Sequence, residues 1–161
     1  MPADLSASAL KVQAALAGFG LGLTVKEFSA STRTAADAAA AIGCTVAQIA
    51  KSILFRAVAS DRPILVVTSG VNRVSEAKIA GYLGESLGKA DAAFVRARTG
   101  FVIGGVPPVG HSEAVETFVD EDLMGFDEIW AAAGTPNAVF RLTPADLVRI
   151  TNGRVVSITE R

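Results

Sequence analysis

Two features of the sequence have residue types and spacing suited to chemistry: a loop rich in glycine and proline, and an isolated lysine. Residues 104–110 read GGVPPVG, and His111, the only histidine in the chain, follows directly. Consecutive glycines allow positive φ angles and a close approach of the backbone to a ligand. Backbone N–H groups arranged in this way can hold an oxyanion or a phosphate oxygen. A simple strand-to-strand turn is the competing interpretation of this loop.

The lysine, Lys51, lies in the segment QIAKSILF, between a short amphipathic helix and a strongly apolar strand. A lysine at the C-terminal end of a helix is often only a solvated group that favours the helix dipole. The alternative is a cation placed at a binding site. Cys44 precedes the same helix, a position that can lower a thiol pKa, but a small packing residue is the favoured interpretation of this cysteine.

Conventional catalytic motifs are not visible. A single histidine excludes a histidine-rich metal site, and a single cysteine excludes a disulfide or a CxxC pair within the chain. The nucleophile elbow GxSxG, the dinucleotide fingerprint GxGxxG and the P-loop motif are all missing from the sequence. The acidic run that includes Glu116, Asp120, Glu121 and Asp122 is typical of a solvated turn. Nothing in the sequence calls for a metal or an organic cofactor.

Composition narrows the class of protein. The 161 residues include 15 basic and 16 acidic side chains, giving a net charge of −1. That balance argues against nucleic-acid binding through a broad basic field, although it allows a grip on a nucleic-acid end at a few points. No apolar run approaches the ~20 residues of a membrane span, and the N-terminus has no signal-peptide pattern. We therefore expect a soluble cytoplasmic protein.

Capping and periodicity signals outline the elements. Helices are predicted after Ser6, over 34–41, from Thr45 to Lys51, over 74–83 and after Thr143. Strands are predicted at 25–28, 52–58, 64–70, 92–97, 100–104, 114–120, 128–134, 138–143 and 154–159. Hairpins and helices are mixed irregularly, whereas a doubly wound parallel sheet would alternate them strictly. The prediction is a single α+β domain over residues 1–161, with a mixed, partly barrel-like central sheet surrounded by helices.

Four motifs occur in a definite order and spacing: IAKSILF, the strand end ILVVTSG, the loop GFVIGGVPPVGH and the late segment AAAGTPNAVFRLTPADLVRI. Together they resemble the YbaK/EbsC family, whose members are free-standing relatives of the editing domain of bacterial prolyl-tRNA synthetases. The resemblance covers the chain from about Phe28 to Ile158. It implies an aminoacyl-tRNA deacylase acting in trans, which hydrolyses the ester between a wrong amino acid and the terminal adenosine of tRNA.

The resemblance also implies which residues act. The family's lysine and its glycine-to-proline loop match five positions of this chain: Lys51, Gly104, Gly105, Pro108 and Gly110. Pro107 is an extra neighbour. Loop N–H groups would stabilise the oxyanion formed when water, oriented by the substrate's 2′-hydroxyl, attacks the ester carbonyl. Lys51 would hold the terminal phosphate or ribose as a point charge. His111 has two open roles, assistance in the reaction near neutral pH and anchoring of the loop, of which anchoring is favoured.

Specificity is expected to lie in small and hydroxyl-bearing residues around the amino acid. We hypothesise that this substrate-binding wall contains eight residues: Ser31, Thr32, Thr34, Thr68, Ser69, His111, Ala133 and Gly134. Thr34 and Gly134 also have structural interpretations, as a helix cap and a turn glycine. A wall of hydroxyls and alanines indicates a small substrate side chain.

Two other functions stay open. One is a non-catalytic protein of the same fold that binds an aminoacyl-nucleotide, a tRNA or a synthetase. The other is a hydrolase of small esters or thioesters. The presence of both Lys51 and the glycine-proline loop favours the aminoacyl-tRNA deacylase. The expected partner is the acceptor end of aminoacyl-tRNA, and near-zero net charge suggests that delivery is helped either by a synthetase or by hand-off of tRNA during elongation.

Overall fold

The computed structural model describes residues 5–160, so that residues 1–4 and 161 of the predicted domain lie outside the described range. The helices are α1 (Ala7–Ala17), α2 (Ala35–Ile42), α3 (Glu76–Leu83), α4 (Ala92–Thr99) and α5 (Pro144–Thr151). The strands are β1 (Val25–Glu27), β2 (Ile49–Ala57), β3 (Arg62–Ser69), β4 (Leu87–Lys89), β5 (Glu116–Asp120), β6 (Ile129–Ala132), β7 (Ala138–Leu142) and β8 (Arg154–Val156).

All eight strands join one mixed sheet with the order β1-β7-β6-β2-β3-β5-β8, and β4 pairs with β2 outside that path. The β2–β3 hairpin is antiparallel, whereas the pairs β2–β6, β3–β5 and β5–β8 are parallel. The apolar run Ile64–Val67 of β3 is fully buried, as expected for a central strand covered on both faces. The predicted α+β class with a mixed sheet is confirmed.

Helices cover both faces of this sheet. On one face, α1, α4 and α5 contribute buried residues such as Val12, Val95 and Leu147 to the main core. On the other face, α3 packs through Ile79 and α2 packs through two buried alanines against the strands β2, β6 and β7. The small side chains of α2 let its backbone approach the sheet closely, which leaves the loop before this helix beside β2.

The predicted helix starts at Ser6, Thr34 and Thr143 are confirmed by cap geometry. The Thr34 hydroxyl accepts a hydrogen bond from the Asp37 N–H at 3.0 Å, and the Thr143 hydroxyl accepts one from the Asp146 N–H at 3.1 Å. Each cap satisfies one of the N–H groups that an α-helix leaves unpaired in its first turn.

The predicted strands at 92–97 and 100–104 are wrong. Residues 92–99 form α4, which begins where the Asp91 carboxylate accepts a hydrogen bond from the Phe94 N–H at 2.8 Å. Gly100 ends this helix with a φ of 83°. Residues 100–104 follow as irregular loop. The apolar residues between Asp91 and Gly100 match a strand over a short window, but the two capping residues decide for a helix.

The helix predicted from Thr45 is also corrected. Thr45 and Gln48 form the predicted capping box, yet the segment makes only a 3-10 turn over Val46–Gln48. The chain enters β2 at Ile49. Lys51 is therefore the third residue of a strand, and the interpretation of it as a solvated helix end is wrong.

Candidate functional site

A cleft opens beside β2 where the strand has no neighbour on one edge. The ladder with β6 includes Ile49 and Ala50 of β2, and the ladder with β4 begins at Phe55. Between them, residues 51–54 pair only with β3. Both the loop before α2 and the glycine-proline loop after α4 reach this open segment.

Two adjoining pockets make up the cleft. The smaller encloses about 480 Å³, part of it open to solvent, and its wall includes the alanines of α2, β2 and β6. The larger encloses about 1000 Å³, also partly open, and is bounded by β2, Ala90, α4 and the tip of the glycine-proline loop. Five residues line both pockets and so mark the border between them: Arg33, Lys51, Ser52, Gly104 and Val106.

Lys51 lies on this border, half-buried. It pairs with Thr68 across the β2–β3 hairpin, which fixes its backbone in the centre of the sheet. Within residues 5–160 its ammonium has no ion pair and no hydrogen bond. An unpaired cation on the wall of a cleft can receive an anionic ligand without first breaking a salt bridge.

Arg33 is a second cation on the border, and the sequence interpretation missed it. Its side chain lies against Gly104, where an added Cβ would come 2.9 Å from Nε. No carboxylate in the described part of the chain pairs with its guanidinium. In the sequence Arg33 lies between two hydroxyl residues at the start of a helix. Nothing in that local pattern predicts a contact with a loop about seventy residues further along the chain.

The glycine-proline loop contributes backbone to the cleft through residues 104–106. Gly104 has a φ of 97°, a conformation that favours glycine. Gly105 is buried, and an added Cβ would lie 2.8 Å from the Thr135 backbone. Its N–H donates to the Val102 carbonyl at 3.2 Å. In the described range, the N–H groups of Gly104 and Val106 have no hydrogen-bond acceptor, so these two are the donors left for a ligand.

The rest of the loop lies behind the cleft. Pro108 is buried, and neither it nor Gly110 lines the two pockets. His111 also lies outside them, where its Nε2–H donates to the Pro107 carbonyl at 2.7 Å. The ring of His111 meets the Phe101 ring edge-on at 6.5 Å. These contacts fit the anchoring role among the two that the sequence left open.

His111 leads to a prediction about stability and pH. Burial lowers the pKa of His111 below its usual 6.5, the charge of Lys11 acts in the same direction, and the hydrogen bond to Pro107 opposes them. Below pH 6.5 the unfolded chain therefore binds more protons than the folded one, and the free energy of unfolding falls with decreasing pH until the folded pKa is passed. His111→Gln, which keeps an N–H donor, is expected to flatten this decline in urea unfolding between about pH 5 and pH 8. An unchanged slope would contradict the assignment.

The hydroxyl residues before α2 divide between the cleft and its support. Thr32 and Thr34 line the smaller pocket, whereas Ser31 does not. Thr32 is buried and donates through its hydroxyl to the Pro136 carbonyl at 3.0 Å. The Ser31 hydroxyl accepts from the Arg33 N–H at 3.2 Å, so Ser31 shapes the turn that carries Arg33.

Thr68 and Ser69 lie outside both pockets, in a buried network around Asp120. The Asp120 Oδ2 accepts from the Ser69 N–H at 2.9 Å and from the Thr68 hydroxyl at 3.2 Å. Asn72 donates to the same oxygen at 2.8 Å. Asp120 is 1% exposed, so the interpretation of the acidic run as a solvated turn is wrong for this residue. The parallel pairing of β3 with β5 brings these groups together.

Ala133 and Gly134 do not line either pocket of the cleft but lie directly behind its wall. Ala133 is fully buried, and Gly134 donates its N–H to the Gly105 carbonyl at 2.9 Å. The alanines that line the smaller pocket are their neighbours Ala131 and Ala132. Gly134 therefore supports the glycine-proline loop from behind.

Groups suited to other chemistry are few. Cys44 is half-buried beside α2, and burial raises the pKa of its thiol, which favours packing over nucleophilic chemistry. Across residues 5–160 no three acidic, histidine or cysteine side chains are grouped to hold a metal ion. None of the described helices has the length and apolar character needed to cross a bilayer.

One family model and several known proteins are similar to this chain. The model of the aminoacyl-tRNA editing domain matches residues 29–150. YwhH of Bacillus subtilis, an uncharacterized protein, is 33% identical over 131 residues, which are 81% of this chain and 83% of YwhH. The proline–tRNA ligase of Leuconostoc mesenteroides is 41% identical over 83 residues, which are 49% of this chain and 14% of that ligase.

A solved structure is similar to this chain over nearly its whole length. The crystal structure of a proposed trans-editing enzyme for prolyl-tRNA synthetase is 46% identical to this chain and superposes with a TM-score of 0.93. The alignment covers 98% of this chain and 100% of that one. The likeness therefore extends through nearly every element that surrounds the cleft.

Proposed function

Because the chain belongs to the aminoacyl-tRNA editing domain family, we propose that it is a trans-acting hydrolase that removes a wrong amino acid from tRNA. Its substrate would be the ester between a small amino acid and the terminal adenosine. We further propose that residues 1–161 act as one editing domain, in the cytoplasm where charged tRNA is found. The observation that carries the proposal is the border of the cleft, where two cations and two backbone N–H groups that have no partner within residues 5–160 lie together.

The two pockets suit the two halves of such a substrate. The smaller pocket is walled by Ala35, Ala38, Ala131 and Ala132 together with hydroxyl groups, which suits a small side chain. The larger pocket has room for a nucleoside. The ester would then lie between them, beside Lys51 and Gly104.

The proposed chemistry needs no side-chain nucleophile, because an α-amino acid ester is already activated. A water molecule attacks the ester carbonyl, oriented by the loop and by the 2′-hydroxyl of the substrate's ribose. The N–H groups of Gly104 and Val106 stabilise the tetrahedral oxyanion. Lys51 holds the terminal phosphate or ribose and so positions the ester against the loop. The bond between the acyl carbon and the ribose oxygen then breaks, and the ribose oxygen takes up the proton that the attacking water has lost, which gives the free amino acid and the uncharged tRNA.

A deacylation panel tests the proposal. Transfer RNAs carrying Ala, Ser, Thr, Cys or Pro are incubated with the protein, and release of the labelled amino acid is compared with that in buffer. We expect at least one small amino acid to be released faster than in buffer, and proline on its own tRNA to be retained. If every ester decays at the buffer rate, the chain is better described as a binding protein for aminoacyl-tRNA or a synthetase.

A small-ester hydrolase is distinguished by the same assay. Amino acid methyl esters lack the terminal adenosine, so the larger pocket would stay empty. We expect their hydrolysis to be far slower than that of aminoacyl-tRNA at equal concentration. Equal kcat/KM for the two substrates would favour the small-ester hydrolase.

Arg33 is expected to contribute to substrate binding. Arg33→Met keeps most of the packing on Gly104 and removes the charge, so the KM for aminoacyl-tRNA should rise about tenfold through loss of a charge-assisted contact. The salt dependence of KM should also weaken. Arg73→Met, which removes an exposed arginine outside the two pockets, is the matched control. An unchanged KM for Arg33→Met would remove this residue from the site.

A further inference from the structure

The open edge of β2 presents free backbone groups to the larger pocket, and we infer that this edge recognises the terminal adenine of the substrate through Ser52 and Leu54. The inference rests on the proposed deacylase function, which supplies a terminal adenosine as the ligand. It adds a base-recognition site formed by main-chain groups in the larger pocket, whereas the amino acid is placed in the smaller pocket.

The register of the hairpin fixes which groups face the cleft. The Gly70 N–H donates to the Ile49 carbonyl at 2.9 Å, which makes Ile49 and Gly70 a hydrogen-bonded pair of the β2–β3 ladder. In an antiparallel ladder such pairs alternate, so Lys51 and Ile53 also direct their backbone groups to β3. Ser52 and Leu54 must therefore direct theirs to the opposite edge of β2.

On that edge the backbone groups of Ser52 and the N–H of Leu54 have no ladder partner among residues 5–160, whereas the register of Phe55 with Lys89 places the Leu54 carbonyl against the Ala90 N–H. The β6 ladder ends at Ala50 and the β4 ladder begins at Phe55. Outside the ladders, no hydrogen bond from the described residues reaches the backbone of Ser52 or Leu54. The side-chain oxygen of Ser52 is buried and is likewise without a partner among residues 5–160. A buried side-chain oxygen is nearly always paired in folded proteins, so the unpaired Ser52 Oγ beside open main-chain groups indicates a site that a ligand completes.

The chemistry of the edge matches adenine. A carbonyl at one residue and an N–H two residues later point the same way from a strand edge, as a neighbouring acceptor and donor. Adenine presents the complementary pair on its Watson–Crick edge, with a donor at N6 and an acceptor at N1. The Ser52 carbonyl accepts from N6, and the Leu54 N–H donates to N1. A 6-keto purine carries an acceptor at position 6 and a donor at N1, so both contacts become repulsive.

The walls of the larger pocket suit the flat faces of a base. Apolar side chains line it from three directions, namely Ile53 and Phe55 of β2, Val95 of α4 and Ile103 of the loop. Lys51 and Arg33 stand where this pocket meets the smaller one. With the base on the β2 edge, the ribose and phosphate reach these cations, and the ester reaches Gly104.

Nucleotide binding to the full-length protein tests the inference without altering the chain. The ¹⁵N-labelled protein is titrated with AMP, 7-deaza-AMP, 1-deaza-AMP and IMP, and amide shifts are followed by NMR. AMP and 7-deaza-AMP, which share the intact Watson–Crick edge, are expected to bind alike and to move the Leu54 amide proton downfield. 1-Deaza-AMP and IMP are expected to bind about tenfold more weakly, because each leaves the Leu54 N–H without an acceptor.

Equal affinity for all four nucleotides would overturn the inference. So would AMP, at its highest soluble concentration, leaving the Ser52–Leu54 amides unmoved. Either result leaves the deacylation panel unaffected, because the titration measures recognition of the base only. Conversely, failure of every ester in the panel would refute the proposed activity whatever the nucleotides do.

Discussion

Replacing Lys51 by methionine is expected to lower kcat/KM for deacylation about 100-fold, since an ester held out of line with the attacking water reacts far more slowly. Methionine keeps the length and packing of the stem and removes only the charge. Within residues 5–160 the ammonium has no ion pair, so no salt bridge is lost and the free energy of unfolding should change by less than about 0.5 kcal/mol.

The contrast between activity and stability is what tests the positioning role. Single-turnover deacylation and urea unfolding are measured on the same preparation. Lys26→Met, at an exposed lysine of β1 outside both pockets, serves as the matched control and should retain wild-type activity. A fully active Lys51→Met protein would show that the substrate is positioned by other groups, even if the deacylase function stands.

Gly105→Ala is expected to damage both the loop and the reaction. The added Cβ would lie 2.8 Å from the Thr135 backbone, and a backbone neighbour cannot move aside as a flexible side chain can. This clash is relieved only if the loop shifts. The shift would also strain the hydrogen bond from the Gly134 N–H to the Gly105 carbonyl. We expect a loss of about 2 kcal/mol in the free energy of unfolding. We also expect at least a tenfold loss in kcat/KM, because the N–H groups on either side are displaced.

A glycine-to-alanine substitution outside the loop serves as the control, because it shows what the change of residue type does on its own. Gly81 lies within α3, with nothing within 4 Å of an added Cβ and no positive φ. Gly81→Ala should therefore stabilise the protein by about 0.5–1 kcal/mol through its higher helix propensity, with activity unchanged. Both variants are assayed well below their unfolding midpoints. Wild-type stability and rate in Gly105→Ala would mean that the loop tolerates displacement and does not present the oxyanion donors.

Parts of the fold with local causes could be predicted from the sequence. The caps at Thr34 and Thr143 need only a hydroxyl three residues before an N–H, and the β2–β3 hairpin needs only two apolar runs around a turn. The strand wrongly assigned over residues 92–97 shows the limit of this reasoning. A short apolar window fits the period of a strand and that of a helix equally well, and here the cap at Asp91 is the local signal that distinguishes them.

The residues of the candidate site likewise fall into those that the sequence predicts and those that it does not. Lys51 and Gly104 could be identified from the sequence, because the spacing of the surrounding motifs resembles a family with known chemistry. Thr68 and Ser69 belong to the same motifs, yet they turn toward Asp120 and away from the cleft. Arg33 carries no local signal at all, because its place depends on a contact with Gly104.

The amino-acid sequence alone is enough to infer the elements with local capping and turn signals, the α+β class and the two motifs that meet at the cleft. The packing of the whole chain sets which side of each strand those motifs face. It also decides that β2 lacks a neighbour between Ala50 and Phe55. Such a gap arises because β2 pairs with two strands, β6 and β4, that lie far from it and from each other in the chain. No local run of residues encodes it.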